Sequence, residues 1–229
     1  MRRPRALLSW SSGKDSAWAL HVLRERREVE VVGLLTTFNS AFARVAMHAV
    51  RDDLVRRQAK AVGLPLWRVS LPWPCPNDAY EPAMESALSH AKDADITHVA
   101  FGDLFLADIR SYREERMAAA RMTPAFPLWD RDTADLARTM LSGGTRATVV
   151  CVDPNKLASA YCGREFDASF VADLPEGIDP CGEYGEFHTF AWDGPAFRWP
   201  IPIRRGEVVE RDGFVFADVL PVESEPVPA

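Results

Sequence analysis

The sequence predicts an α/β fold built on a parallel sheet, and three observations carry that expectation. A short apolar run, Ala6-Leu7-Leu8-Ser9-Trp10, leads into the small-residue loop Ser11-Ser12-Gly13-Lys14-Asp15-Ser16 and then an amphipathic segment, Ala17 to Arg27. That is the order strand, loop, helix. Val29 to Thr36 is β-branched, continuous and apolar, the pattern of a strand covered on both faces. The same alternation then recurs along the first half of the chain, and repeated βα units imply parallel strands joined by right-handed crossovers.

The remaining elements follow in order. Thr37 to Ala46 reads as a loop and Met47 to Val62 as a helix closed by Gly63. Leu66 to Leu71 is a third strand. Pro72-Trp73-Pro74-Cys75-Pro76-Asn77 breaks the pattern, and Tyr80 to Lys92 is a helix with Asn77 or Asp78 as N-cap. Thr97 to Phe101 is a fourth strand, ending at Gly102-Asp103. Ile109 to Arg121 is a charged helix, Thr123 to Trp129 a Pro-interrupted connection, and Thr133 to Leu141 a helix closed by Gly143-Gly144. Ala147 to Val152 is a strand, Gly163 to Ala191 is irregular, and the tail from Pro221 is loose. A boundary near residue 122 divides the chain into a first domain, 1–122, and a smaller α+β domain, 123–229.

With 229 residues, 47% of them hydrophobic, the chain is long enough for a sizeable core. Its net charge of −6 argues against a general nucleic-acid surface. Arg51, Arg56, Arg57 and Lys60 are interspersed with acids and apolar residues, as on a solvated helix face. The apolar run after Arg5 ends at Trp10, too short for a signal-peptide core, and no run approaches a membrane span. Cys75, Cys151, Cys162 and Cys181 include no C-x-x-C pair. A soluble, cytoplasmic protein with reduced thiols and no membrane partner is expected.

Three constellations carry chemistry. The loop Ser11–Ser16, between a strand and a helix N-terminus, suits a phosphate, with Lys14 adding a full charge. It is not a Walker A loop: Leu8 stands where the first Gly belongs, and Asp15 where the magnesium-binding hydroxyl belongs. Asp15 beside Lys14 makes sense with a magnesium ion between carboxylate and phosphate, or as a residue favoured at the start of the helix. The second constellation is Gly102-Asp103 with Arg110, Arg113 and Arg116, three apart on one helix face, which suit an anion or pair with Asp108, Glu114 and Glu115. The third is Asp179-Pro180-Cys181-Gly182-Glu183-Tyr184-Gly185-Glu186-Phe187-His188-Thr189-Phe190. Its density of polar groups in an irregular stretch marks it as functional. A metal site from Glu183, Glu186 and His188 is conceivable but incomplete, and Cys181 as nucleophile has only His188 as a nearby base.

The loop resembles the PP-loop S-G-G-x-D-S of ATP pyrophosphatases, with Ser12 in place of the first Gly. The loop, the Gly102-Asp103 segment with Arg110 and Glu114, Leu128-Trp129 after a Pro, and Gly182-Glu183-x-Gly185-Glu186-Phe187 occur in the order seen in the diphthine–ammonia ligase (diphthamide synthase) family, over residues 6 to 200. The resemblance implies a Rossmann-like domain of the adenine nucleotide alpha hydrolase type, followed by a smaller domain. It implies an ATP-dependent carbon–nitrogen ligase that joins ammonia to a carboxylate through an adenylate, releasing AMP and pyrophosphate. Ser11, Ser12, Gly13, Lys14, Asp15 and Ser16 would hold the β,γ-phosphates, with Asp15 at the magnesium. Asp103, Glu183 and Glu186 would belong, with Lys14, to the catalytic side. The strand end around Leu34–Asn39, including Thr36, is the expected edge for the adenine.

The motif departs from the ligase form E-G-G-E-[FY]-E-T at Tyr184 and at His188, and looks like a bacterial branch. Bacteria lack diphthamide, so the acceptor, a small molecule or a protein, is left open, as is a homodimer. Two alternatives stand beside the ligase: a tRNA-modifying PP-loop ATPase, and a non-catalytic ATP- or AMP-binding protein.

Overall fold

A computed structural model describes residues 2–39, 44–45 and 50–222. Its first sheet is built from β1 (Arg5–Ser9), β2 (Glu30–Asn39), β4 (Leu66–Leu71), β5 (His98–Ala100) and β6 (Thr123–Ala125), all parallel, in the spatial order β4-β2-β1-β5-β6. A two-residue strand, β3 (Arg44–Val45), adds antiparallel to the end of β2. Between the strands run α1 (Lys14–Arg26), α2 (Asp52–Val62), α3 (Asn77–Asp93) and α4 (Ala107–Ala119). The α/β, Rossmann-like expectation holds. β1 is central: Leu8 pairs with Leu34 on one side and Ala100 on the other. The carboxyl ends of β1, β2 and β5 therefore share one edge, where such sheets bind ligands.

The second half adds α5 (Thr133–Ser142), β7 (Arg146–Val152), a short helix α6 (Ala168–Asp173), β8 (Phe187–Asp193), β9 (Ile203–Arg211) and β10 (Phe214–Pro221). Its four strands form an antiparallel sheet in the order β8-β7-β10-β9. One apolar cluster joins α1, α2 and α5 to this sheet: Leu20, Leu54 and Met140 pack with Val149, Phe190 and Val215. The other face of the parallel sheet has its own cluster, with Leu88 of α3 and Met117 of α4 over Leu7, Leu35 and Val99.

Several expected elements shift. Thr37 to Asn39 belong to β2, not to a loop, while 40–43 and 46–49 lie outside the described residues. The helix expected from Met47 begins at Asp52, where Asp52 and Asp53 place acids against the positive end of the dipole. α3 and α4 each begin earlier than expected. Thr123–Ala125, read as a connection, is a strand, and its proline is tolerated because β6 is an edge. The change from one sheet to the other thus falls beyond residue 125. The stretch 163–191, read as irregular, contains α6 and the start of β8. Pro221 closes β10, and the tail 223–229 lies outside the described residues. Among the described residues, no helix is long and apolar enough to cross a membrane.

Candidate active site

The loop between β1 and α1 is held from three sides. Ser12 adopts a left-handed conformation, φ 71°, which explains why a glycine suits this position in a PP-loop. Its carbonyl accepts from the Ala191 amide at 2.9 Å and from Gln58 Nε2 at 2.9 Å. Gln58 also donates to the Ala191 carbonyl at 2.6 Å and accepts from Trp10 Nε1 at 2.8 Å. The Lys14 amide donates to the Thr189 hydroxyl at 3.1 Å. A Cβ on Gly13 would lie 3.2 Å from the Thr189 carbonyl, so loop and β8 are in close contact. Ser16 Oγ donates to the Gly13 carbonyl at 2.9 Å and lies 3.2 Å from Ser11 Oγ.

Lys14 is buried. Its ammonium donates to both oxygens of Asp15, at 3.0 and 2.9 Å, and to the Cys181 carbonyl. Burial disfavours its charge, but the carboxylates of Asp15 and Asp179 outweigh this and hold the ammonium above its ordinary range. Burial pushes the Asp15 carboxyl upward, against the pull of Lys14.

Gly102 brings the second segment against α1: a Cβ there would meet the Asp15 backbone at 3.2 Å. The neighbouring Asp103 receives a fork from Arg113, Nε at 2.5 Å and Nη2 at 3.1 Å, and Arg113 lies 4.6 Å from the Phe101 ring. The other two arginines of that helix face also have carboxylate partners, Arg110 with Glu114 and Arg116 with Glu81. Arg110 stacks against Phe126 and Trp129, which gives the Leu128-Trp129 element its packing role.

The third segment reaches the same place. Asp179 organises its turn, accepting from the amides of Cys181 at 3.2 Å and Glu183 at 3.0 Å. Glu183 then accepts from the Leu104 amide at 2.9 Å. Its carboxyl is pushed up to about 7, chiefly by burial, with Asp15 and Asp103 adding and the Leu104 amide and Lys14 opposing. His188 is driven down to about 4 by burial, with Lys14 and Lys156 contributing, so its ring is neutral at pH 7. Ser9, Ser11, Lys14, Asp15, Ser16, Gly102, Asp103, Arg113, Cys181, Glu183, His188 and Thr189 all line one cleft of about 240 Å³.

Not every predicted residue reaches it. Glu186 is buried away from the cleft lining: Oε1 accepts from the Asp179 amide at 3.1 Å and Oε2 has no partner. Its contact is with the backbone that carries Glu183, so it supports the turn. Thr36 is buried, its hydroxyl donating to the Trp10 carbonyl at 3.0 Å, outside the lining. Glu183, Glu186 and His188 do not form a metal cluster, and no group of three such ligands occurs among the described residues. The Cys181 thiol is buried and pushed upward, the reverse of an activated nucleophile. Sequence reasoning missed Gln58 and did not separate Asp179 from its neighbours. Gln58 was findable, as a polar residue on the apolar face of α2 between Leu54, Val55, Ala59 and Val62.

Two family models cover most of the chain: the diphthamide synthase N-terminal domain over residues 4–117, and the diphthamide synthase C-terminal domain over 132–218. The chain is also 30% identical to the diphthine–ammonia ligase of Danio rerio, covering 77% of this chain and 80% of that protein. The chain belongs to the diphthamide synthase family. It is 28% identical to the diphthine–ammonia ligase of Homo sapiens, with 70% of this chain matched to 66% of the human protein, so it spans just under two thirds of that relative. Within the diphthamide synthase fold described here, the N-terminal model supplies the loop and Asp103, and the C-terminal model supplies Glu183 and His188.

Proposed function

We propose that the protein is an ATP-dependent ligase that forms an amide from a carboxylate and ammonia, splitting ATP between the α- and β-phosphates. The observation that carries the reading is the convergence of Ser11–Ser16, Gly102-Asp103 and Cys181–Thr189, distant in sequence, around one cleft at the carboxyl edge of a parallel sheet. Membership of a family whose relatives are named diphthine–ammonia ligase agrees with it.

The donor set fits a metal–phosphate complex. Ser11, Ser16, Lys14 and the N-terminus of α1 suit phosphate oxygens, while the Asp15 carboxylate suits a cation that phosphates and water complete. Asp15 is the carboxylate within the loop itself and the one we assign to magnesium, which when bound would neutralise charge on the departing pyrophosphate. A carboxylate resists ammonia because its leaving group is too basic. Its oxygen attacks the α-phosphorus, the bond to the β-phosphate bridging oxygen breaks, and pyrophosphate leaves. Ammonia then attacks the acyl carbon, the bond to AMP breaks, and one proton is shed. Glu183 is placed to take that proton, because it faces the cleft with a carboxyl near 7, while Glu186 is buried behind it. Arg113 orients Asp103 through its fork, and the neutral His188 borders the acceptor side. The division of labour between the parts, phosphates on the first and acceptor on the second, belongs to this proposal.

The test is product analysis with ATP, ammonium and a panel of carboxylates. AMP and pyrophosphate are expected. ADP and phosphate would reject the assignment, and binding without pyrophosphate release would favour a nucleotide sensor.

A further inference from the structure

Outside helices and strands a buried amide needs an acceptor from elsewhere. In the turn between α6 and β8 one residue supplies several. Asp179, 7% exposed, accepts from the Cys181 amide with one carboxylate oxygen at 3.2 Å and from the Glu183 amide with the other at 3.0 Å. Its carbonyl accepts from the Gly182 amide at 2.9 Å. Its own amide donates to Glu186 Oε1, and the Glu186 carbonyl accepts from the Asp153 amide just past β7, at 3.0 Å. Asp179 is thus tied to the second sheet and in turn fixes residues 181 to 183.

Two groups of the cleft hang from the residues it fixes. The Cys181 carbonyl accepts from the Lys14 ammonium, and the Glu183 carboxylate accepts from the Leu104 amide at 2.9 Å. The ammonium otherwise meets the rings of Phe166 and Phe187, each centroid 5.4 Å away, and the Asp15 carboxylate, whose side chain is 27% exposed. The Cys181 carbonyl is therefore the acceptor whose direction the fold sets. We propose that Asp179 is a positioning residue for both sides of the cleft: by holding the amides of Cys181 and Glu183 on its two carboxylate oxygens, it aims Lys14 through the Cys181 carbonyl and seats Glu183 against Leu104. The consequence for ATP rests on the nucleotide reading above; the seating of Glu183 does not.

Asp179→Asn keeps the shape and one acceptor oxygen but turns an NH2 group toward one of the two amides. It also removes a carboxylate close enough to act on Lys14, which lessens repulsion of phosphate. A loss of ATP affinity therefore reports position and not charge. Calorimetric titration should show ATP bound at least about fivefold more weakly. In a Lys14→Met background the same change should alter affinity by less than about twofold, because it acts through Lys14. Amide hydrogen exchange at Leu104, on a distant segment, should quicken at least about tenfold. Asp132→Ala removes an exposed N-cap of α5 outside the cleft lining; it should lower Tm and move neither readout, which separates positioning from general loss of stability. If the Asn variant does not fold, Asp179→Ser replaces it: its hydroxyl takes the Cys181 amide in the same turn but is too short for Glu183, so ATP affinity within about twofold of wild type and fast Leu104 exchange are expected, and slow exchange overturns the proposal. A folded Asn variant with wild-type ATP affinity or wild-type Leu104 exchange overturns it, as does an equal loss of affinity in the Lys14→Met background. Failure of wild type to bind ATP overturns the nucleotide reading instead, and Leu104 exchange then decides the seating of Glu183.

Discussion

Replacing Glu183 by Gln should stabilise the protein above neutral pH while abolishing ligation. In the folded protein its carboxyl is pushed up to about 7 from an ordinary 4.5, chiefly by burial. Between those values the folded state holds a proton that the unfolded state has released, so stability falls as pH rises through this window. At about 1.36 kcal/mol per unit, the full cost of ionising Glu183 in place is roughly 3 kcal/mol above pH 7. Gln keeps the oxygen that accepts from the Leu104 amide and removes the charge that Asp15 and Asp103 oppose. His188 titrates in both proteins, so the difference between them isolates Glu183. Urea unfolding at pH 5, 6, 7 and 8 should give similar stabilities at pH 5 and a variant more stable by about 2–3 kcal/mol at pH 8. Pyrophosphate release with acceptor and ammonium should meanwhile collapse. A stability difference that stays flat from pH 5 to pH 8 would refute the reasoning, because Glu183 would then titrate normally and lack the poise for taking the proton that the attacking ammonia sheds.

Two changes in the loop test its construction. Ser12→Gly should raise Tm by about 2–4 °C, since it relieves a left-handed serine and removes a buried hydroxyl without a partner, against a smaller entropic cost in the unfolded chain; a lower Tm contradicts this. Thr189→Val leaves the Lys14 amide without its acceptor and should lower stability by about 1–3 kcal/mol and weaken ATP binding, while Thr189→Ser retains both, as chemical unfolding and titration would record.

How much of this was legible depended on whether a signal was local. The strands β1, β2 and β7 were readable because their residues are mostly apolar and buried, and β4 because exposed Arg68 and Ser70 alternate with buried Val69 and Leu71. β9 was not: it is an edge strand, Ile203-Arg204-Arg205-Gly206-Glu207-Val208-Val209-Glu210-Arg211, exposed along most of its length, so no buried face imposes a period of two. β6 was hidden by its own proline. The structure brings residues of the three motifs to one cleft, but the direction of each side chain was not recoverable from the sequence. Glu183 and Glu186 lie three apart in one motif, yet one turns to Leu104 at the cleft and the other to Asp179 behind it. Gly185, at positive φ, bends the chain between the two glutamates, and a bend erases any inference of facing from spacing.

The loop between β1 and α1 is therefore not self-contained. Its anchor lies on β8, more than 170 residues away in sequence, where Thr189 holds the Lys14 amide and Ala191 holds the Ser12 carbonyl. Thr189 and Ala191 are two apart on one strand and so present the same edge to the loop. Gln58 closes the arrangement from α2 by donating to the carbonyls of both Ser12 and Ala191. A left-handed serine persists only where its surroundings over-determine it, and these bonds come from outside the first βαβ unit. The geometry of this loop thus depends on the docking of the second sheet, and the turn that precedes β8 also meets the loop, through the Cys181 carbonyl on Lys14.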